Sequence, residues 1–244
     1  MATTFKNFLN NDTTNTRTLL HESIPITGTI VSGTYITNTE TNIRNYAHGM
    51  FQSVYDYPYL SSSANHIFDI SMGFSGSSVL SSSKPAQVVQ QAKKINLYNE
   101  MAQVLMGHNL GGAIRGFDRD GNLADGSEGM SEVFFISFAR LLSKDEVKKG
   151  SFALTVFTGS TCNTVKGFPT GAMTLSDYNG ENKYKVNSPA GEYGLLLTSS
   201  TSDDGMAAGL VFYQAGIAVI TASIFGSTAQ FVNQVADTPN NDSG

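Results

Sequence analysis

The run SEVFFISFARLLSKDEVKKGSFALTVF, residues 131–157, constrains this chain more than any other stretch. In a strand, successive side chains point to opposite faces. Val133, Phe135 and Ala139 would lie on one face, with Phe134, Ile136 and Phe138 on the other. Both faces are apolar, so such a strand must be covered on both sides. A short apolar run can equally be a buried helix, and periodicity alone does not separate the two. The charged interruption after it reads as a connector. Ser143 and Glu146 have the spacing of a capping box, Gly150 ends a turn or two, and residues 152–157 resume as strand. The segment joins two core elements, and its residues pack rather than react.

The rest of the chain supplies what would cover it. Residues 1–20 have no stable period, although Phe5, Phe8 and Leu9 could dock on a neighbour. Residues 24–37, IPITGTIVSGTYIT, are β-branched strand material. Ile43, Tyr46, Ala47, Met50, Phe51 and Val54 then recur at helical spacing, which predicts a helix over about 41–55, stopped by Pro58. Residues 66–74 suggest a strand and residues 75–83 a loop. The clearest helix covers about 84–106, with Ser83 as its cap, Pro85 in its first turn and Gly107 as its stop. Its stripe is Val88, Ala92, Ile95, Tyr98 or Asn99, Ala102 and Leu105. The glycine-rich residues 107–130 read as a long exposed loop, or as short strands around tight turns. Residues 192–200, 207–213 and 216–225 read as strands, with a tight hairpin at Gln214–Ala215–Gly216.

These elements predict an α+β fold: a mainly antiparallel β-sheet or sandwich core, two principal helices and an extended N-terminal arm. The expected organisation is an arm over residues 1–25, one globular domain over 26–235 and a flexible tail over 236–244. At 244 residues the chain can bury a sizeable core. Charged residues make up only 14% of it, against about a quarter in a typical soluble domain. Ser, Thr, Asn and Gly carry the polar share, which suits strands, turns and surfaces that meet other protein. The net charge is −5 and there is no run of Lys or Arg, so no nucleic-acid partner is expected. No segment is apolar enough to span a membrane, and the N-terminus lacks the apolar core of a secretory signal. The single cysteine, Cys162, excludes an intrachain disulfide framework and reads as a small side chain in a reducing compartment.

Several groups are candidates for chemistry. Asp118, Asp120, Asn122 and Asp125 put oxygen ligands at spacings that could converge on a hard cation such as calcium. They depart from an EF-hand loop, because Leu123 stands where that loop needs its glycine and Gly129 where it needs a glutamate. Asp-Gly pairs also simply form turns. His21, His48, His66 and His108 show no metal-site spacing, and Cys162 has no local base to activate it. Asp118, Asp120 or Glu128 could serve as an acid or base, but carboxylates so close on a glycine-rich loop hold catalytic geometry poorly. Tyr55, Tyr57 and Tyr59 could bind a glycan, or could pack a helix end on the core. No cofactor is expected.

Four segments carry a resemblance: TRTLLHESIPITGTIVSGTYI, HGMFQSVYDYPYLSSSANHIFDISMGFS, FARLLSKDEVKKGSFALTV and GLVFYQAGIAVI. Together they span most of residues 17–225, and they resemble virion structural proteins of contractile-tailed phages, especially those infecting marine cyanobacteria. The resemblance implies a non-enzymatic subunit of a tail, baseplate or neck, found in the virion and assembled in the host cytoplasm. Its partners would be other virion structural proteins and further copies of itself. The residues expected at interfaces are Phe5, Phe8, Leu9, Tyr55, Tyr57 and Tyr59, with residues 1–25 and the 107–130 loop as the contacting segments. The other reading is a glycan- or receptor-binding module built on Tyr55–Tyr59.

Overall fold

The doubly apolar run is a strand, β6 (Glu132–Phe138), and it is the seam of the sheet. The computed structural model describes residues 42–81, 88–123, 128–140, 145–157, 171–199, 201–202 and 205–225. Before β6 come β1 (Ile43–Asn45), β2 (Phe51–Tyr55), β3 (His66–Phe74), helix α1 (Val88–Leu105), β4 (Phe117–Asp118) and β5 (Gly129–Met130). After it come β7 (Ala153–Phe157), β8 (Ala172–Ser176), the one-turn helix α2 (Gly180–Lys183), β9 (Tyr193–Leu197), β10 (Ala207–Phe212) and β11 (Ile217–Thr221). The large sheet has nine strands in the order β1-β2-β3-β6-β11-β10-β9-β8-β7, every described pair being antiparallel, and β4 pairs with β5 apart from it. The expected α+β fold with a mainly antiparallel core is therefore what the chain adopts.

This order has a simple logic. β1-β2-β3 is one meander and β7-β8-β9-β10-β11 another, each made of neighbours in sequence. Only β6 has distant partners on both edges: Ile70 faces Ile136 from β3, and Val219 faces Phe135 from β11. Its two faces feed two cores. Val133 and Phe135 lie beneath α1 with Tyr98, Ala102, Leu105, Leu210, Phe212 and Val219. Ile136 points the other way, into a cluster with Phe152, Leu175, Leu196, Val211, Ala218 and Ile220.

The second core shows that the sheet bends back on itself. In a flat sheet β6 and β7 would stand five strand spacings apart, about 24 Å. Yet the ring of Phe138 on β6 lies 5.6 Å, centroid to centroid, from that of Phe152, which leads into β7. The bend falls between β8 and β9, where Ser176 opposite Leu197 is the one paired position. The β7–β8 hairpin thus folds over the face formed by β6 and β9–β11, as in the sandwich alternative drawn from the sequence.

The helix expected over 41–55 is not formed; residues 43–55 are the β1–β2 hairpin instead. Gly49 has φ +64, a left-handed conformation that suits a turn, and its N–H donates to the Tyr46 carbonyl at 2.9 Å. A mid-helix glycine would cost about 1 kcal/mol relative to alanine. Pairing of β2 along β3 decides the matter, and Lys94 of α1 secures the turn by donating to the carbonyls of Gly49 and Met50 at 3.1 and 3.2 Å. The helix expected over 84–106 is α1, described from residue 88, and Gly107 with φ +74 follows its end. Its buried stripe holds at Tyr98, Ala102 and Leu105, but Ala92 faces solvent. The described parts of the glycine-rich stretch, residues 107–123 and 128–130, take the form of short strands and tight turns, and the hairpin at 214–216 joins β10 to β11. β8 is an addition to the elements read from the sequence. The arm over 1–25, the strand over 24–37, the caps Ser83, Pro85 and Ser143, and the tail over 236–244 lie outside the described residues.

α1 approaches the sheet closely at Gly73 on β3. A Cβ there would lie 3.0 Å from the Phe135 ring and 3.1 Å from the Tyr98 backbone nitrogen. Backbone cannot give way as a side-chain tip can, so Gly73→Ala should destabilise the fold by about 1–3 kcal/mol. Gly76→Ala, where a Cβ meets nothing within 4 Å, should stay within about 0.5 kcal/mol of the parent. Urea denaturation of both variants checks this.

Candidate functional site

Among the described residues, three of the places that gather polar or aromatic side chains bear on function. The first is the β4–β5 hairpin, which carries the candidate cation ligands. The Tyr98 hydroxyl ties it to α1, donating to the Met130 carbonyl at 2.9 Å and accepting from the Phe117 N–H at 3.2 Å. Burial pushes the Tyr98 phenol above its ordinary pKa. Asp118 is buried on β4, and its Oδ1 accepts from the Asp120 N–H at 3.3 Å. Asp120 Oδ1 accepts from the Asn122 N–H at 2.7 Å, and that bond holds Asp120 below the usual carboxylate range. These contacts are the Asx turns of an Asp-Gly loop. Asp125 lies outside the described residues. Among the described residues no three His, Cys, Asp or Glu side chains converge as a metal site would require. Glu128 accepts from both Nε and Nη2 of Arg119. Beside this hairpin, Leu110, Ile114, Phe117 and Leu123 line an open recess of about 630 Å³.

The second place is the connection from β2 to β3. Tyr55 ends β2, and Tyr57 and Tyr59 follow in the turn, not at the end of a helix. The Tyr55 ring lies 6.3 Å from that of Tyr59 and 5.5 Å from that of His66, so the structure brings two of the three tyrosines together with a histidine. Asp56 closes the connection by accepting from the backbone and side-chain N–H groups of Asn65 at 2.6 and 2.9 Å. Those bonds hold its carboxyl below the usual range. A polar set missing from the sequence reading lies alongside. The buried Ser53 hydroxyl donates to Asp69 Oδ1 at 2.5 Å, and His66 Nε2 lies 2.9 Å from the same oxygen. His66 and Asp69 are three apart on one strand, so regular pleating would put them on opposite faces. The pairing skips Ile67 between Phe68 and His66, and this bulge turns His66 towards Asp69. Ser, Asp and His together invite comparison with a hydrolase triad. In a triad the histidine stands between serine and aspartate and takes the serine proton. Here the aspartate stands in the middle, so the order of a triad is not reproduced and the set ties β2 to β3.

The third place is a buried lock. Asp177, only 1% exposed, accepts from the Gly150 N–H at 2.7 Å, the Phe152 N–H at 2.8 Å and the Tyr213 hydroxyl at 3.0 Å. It joins the end of β8, the approach to β7 and the end of β10. Tyr213 reaches it because Gly180 and Gly194 leave room; a Cβ on Gly194 would lie 2.0 Å from the hydroxyl oxygen. Lys149 pairs with Glu192 at 2.5 Å and sits 4.5 Å from the centroid of the Tyr184 ring. Burial pushes both the Asp177 carboxyl and the Tyr213 phenol upward, and for Asp177 it outweighs the three donors. No spacing in the sequence announces this lock, since its parts lie on four separate segments. Phe5, Phe8, Leu9, His21 and Cys162 lie outside the described residues. Compared with family models, curated proteins and solved structures, the chain matches none.

Asp177 generates a pH prediction. Its pKa is higher folded than unfolded, so the folded state holds the proton more tightly. That contribution to stability is full below the unfolded value and is lost as pH rises through the folded one. Asp177→Asn cannot titrate, and its amide nitrogen would face one of the two backbone N–H donors, at a cost of about 1–3 kcal/mol. The stability gap between the parent and Asp177→Asn should therefore narrow as pH rises from about 4 through the raised value, and then level off. Denaturant titrations of both proteins at several pH values measure it.

Proposed function

We propose that the chain is a non-enzymatic structural subunit of a contractile-tailed phage particle, built into the tail, baseplate or neck through protein–protein contacts. The observation that carries the assembly reading is the placing of large aliphatic side chains in solvent on four separate connections. Leu60 is 86% exposed, Val79 70%, Leu110 106% and Val186 70%. Scattered apolar side chains are ordinary on any surface. Here the charged residues that would normally set them apart make up only 14% of the chain. On α1, Val89 and Val104 are exposed as well. A surface of this kind suits permanent contact with several neighbours. The resemblance of residues 17–225 to phage virion proteins supplies the particular setting. Quantitative mass spectrometry of gradient-purified particles should find the chain at a fixed ratio to the other tail proteins. Its recovery only from the unassembled fraction would overturn the proposal.

One observation favours the second reading, a glycan- or receptor-binding module. The Tyr55, Tyr59 and His66 rings lie side by side, and Tyr59 is exposed. Such rings stack against the apolar faces of sugars. If this reading holds, the protein should bind defined glycans on an array, and Tyr59→Ala should lower that binding by at least about tenfold with an unchanged melting temperature.

A further inference from the structure

The turn between β1 and β2 borders a small recess that holds a single charge. Lys94 of α1 reaches across to this turn, and its ammonium donates to the carbonyls of Gly49 and Met50 at 3.1 and 3.2 Å. An ammonium has three N–H donors, so one is left over. Among the described residues Lys94 pairs with no carboxylate. Burial alone pulls its pKa below the ordinary lysine value, because no nearby anion offsets the water it has lost. Ser71 on β3 is half-buried, and its hydroxyl makes no hydrogen bond among the described residues. Lys94 and Ser71 both line the recess. One place thus combines a half-buried cation with two unused donors.

The recess measures about 220 Å³, and Tyr46 and Phe51 give it an aromatic wall. It is smaller than the roughly 300–1,000 Å³ of pockets that take drug-sized ligands, so it suits a small one. The two rings lie 4.9 Å apart, with the His48 ring 5.3 Å from Tyr46 and 5.0 Å from Phe51. Tyr46 is held in place: its hydroxyl lies 3.3 Å from Ser53 Oγ, and the Arg44 guanidinium sits 5.0 Å from its ring centroid. Phe51 is exposed, so its ring can meet a ligand. Among the described residues no Asp or Glu lines the recess, although the whole chain carries a net charge of −5. A half-buried cation kept clear of acids in an acidic protein favours an anion. An aromatic wall favours a flat apolar body beside it. We infer that the recess at the β1–β2 turn binds a small carboxylate with a flat apolar body. The carboxylate takes the spare N–H of Lys94 and the Ser71 hydroxyl, and the body lies against Phe51. This goes beyond the structural-subunit reading and does not depend on it.

Benzoate, a plain carboxylate on a flat ring, is the probe, and the methionine methyl groups of the full-length protein, labelled with carbon-13, report its binding by NMR. Benzoate should shift the signals of Met50 and Met72, which line the recess, and leave that of Met206 in place. The titration should give a Kd of about 1 mM or tighter, and neutral benzamide, of nearly the same shape, should bind at least about tenfold more weakly. Lys94→Met should also weaken benzoate at least about tenfold, while Lys93→Met should leave its affinity unchanged. Lys94 also secures the turn, so the methyl shifts and the benzamide comparison in the parent protein stand whether or not that variant folds. No benzoate binding at about 10 mM overturns the inference. So does benzamide binding as tightly as benzoate, a folded Lys94→Met protein that binds benzoate like the parent, or shifts that leave Met50 and Met72 unmoved. None of these results touches incorporation into particles, which is measured separately.

Discussion

Everything in this structure leans on β6 being covered on all sides. Its edges join two meanders that share no other pairing among the described residues, and its faces feed two separate cores. A strand with Val133 and Phe135 on one side and Phe134, Ile136 and Phe138 on the other is stable only if both sides are kept from water. α1 covers the first. The second is covered because the sheet bends back between β8 and β9 and lays the β7–β8 hairpin over it. Remove the bend and Ile136 and Phe138 would lose that cover.

The polar groups buried in this arrangement serve the same end. The Tyr98 hydroxyl couples α1 to the β4–β5 hairpin. Asp177 couples the folded-back hairpin to the end of β10 through two amides and Tyr213. Asp69 couples β2 to β3 through Ser53 and His66. Each occupies residue types that an enzyme could use, but in arrangements that join elements. Buried polar groups must find partners, and here the partners lie on different elements, so satisfying them also fixes how the elements sit. The surface complements this interior. It carries few charges, several exposed aliphatic side chains and one hydrogen-bonded turn that presents a leucine.

Legibility in the sequence followed the range of the forces. The α1 helix could be read because its period, its buried stripe at Tyr98, Ala102 and Leu105, and its stop at Gly107 are all local. The β10–β11 hairpin could be read because its turn chemistry is local too. The β1–β2 hairpin reads as helix in the sequence because Ile43, Tyr46, Met50, Phe51 and Val54 satisfy a helical period by coincidence. Tertiary pairing along β3 and the left-handed Gly49 outweigh that period. The Ser53–Asp69–His66 set was invisible because it needs both the β2–β3 register and a bulge, and neither is written in residue types. Of the aromatic triplet, the sequence singled out the residues, but the structure added His66 and moved the group from a helix end to a strand connection.

By itself the sequence determined that the apolar run at 133–138 must be covered on both sides within a mainly antiparallel α+β core, that a long helix ends at Gly107, and that there is very little charge to spread over the surface. Those conclusions depend on side-chain period and composition, which are properties of the chain alone. Only the tertiary structure decided which strands flank β6, where the sheet bends, that Asp177 and Tyr213 meet, and that Leu110 stands beside a recess. Each of these depends on contacts between residues far apart in sequence, whose free energy exists only once the backbone has brought them together.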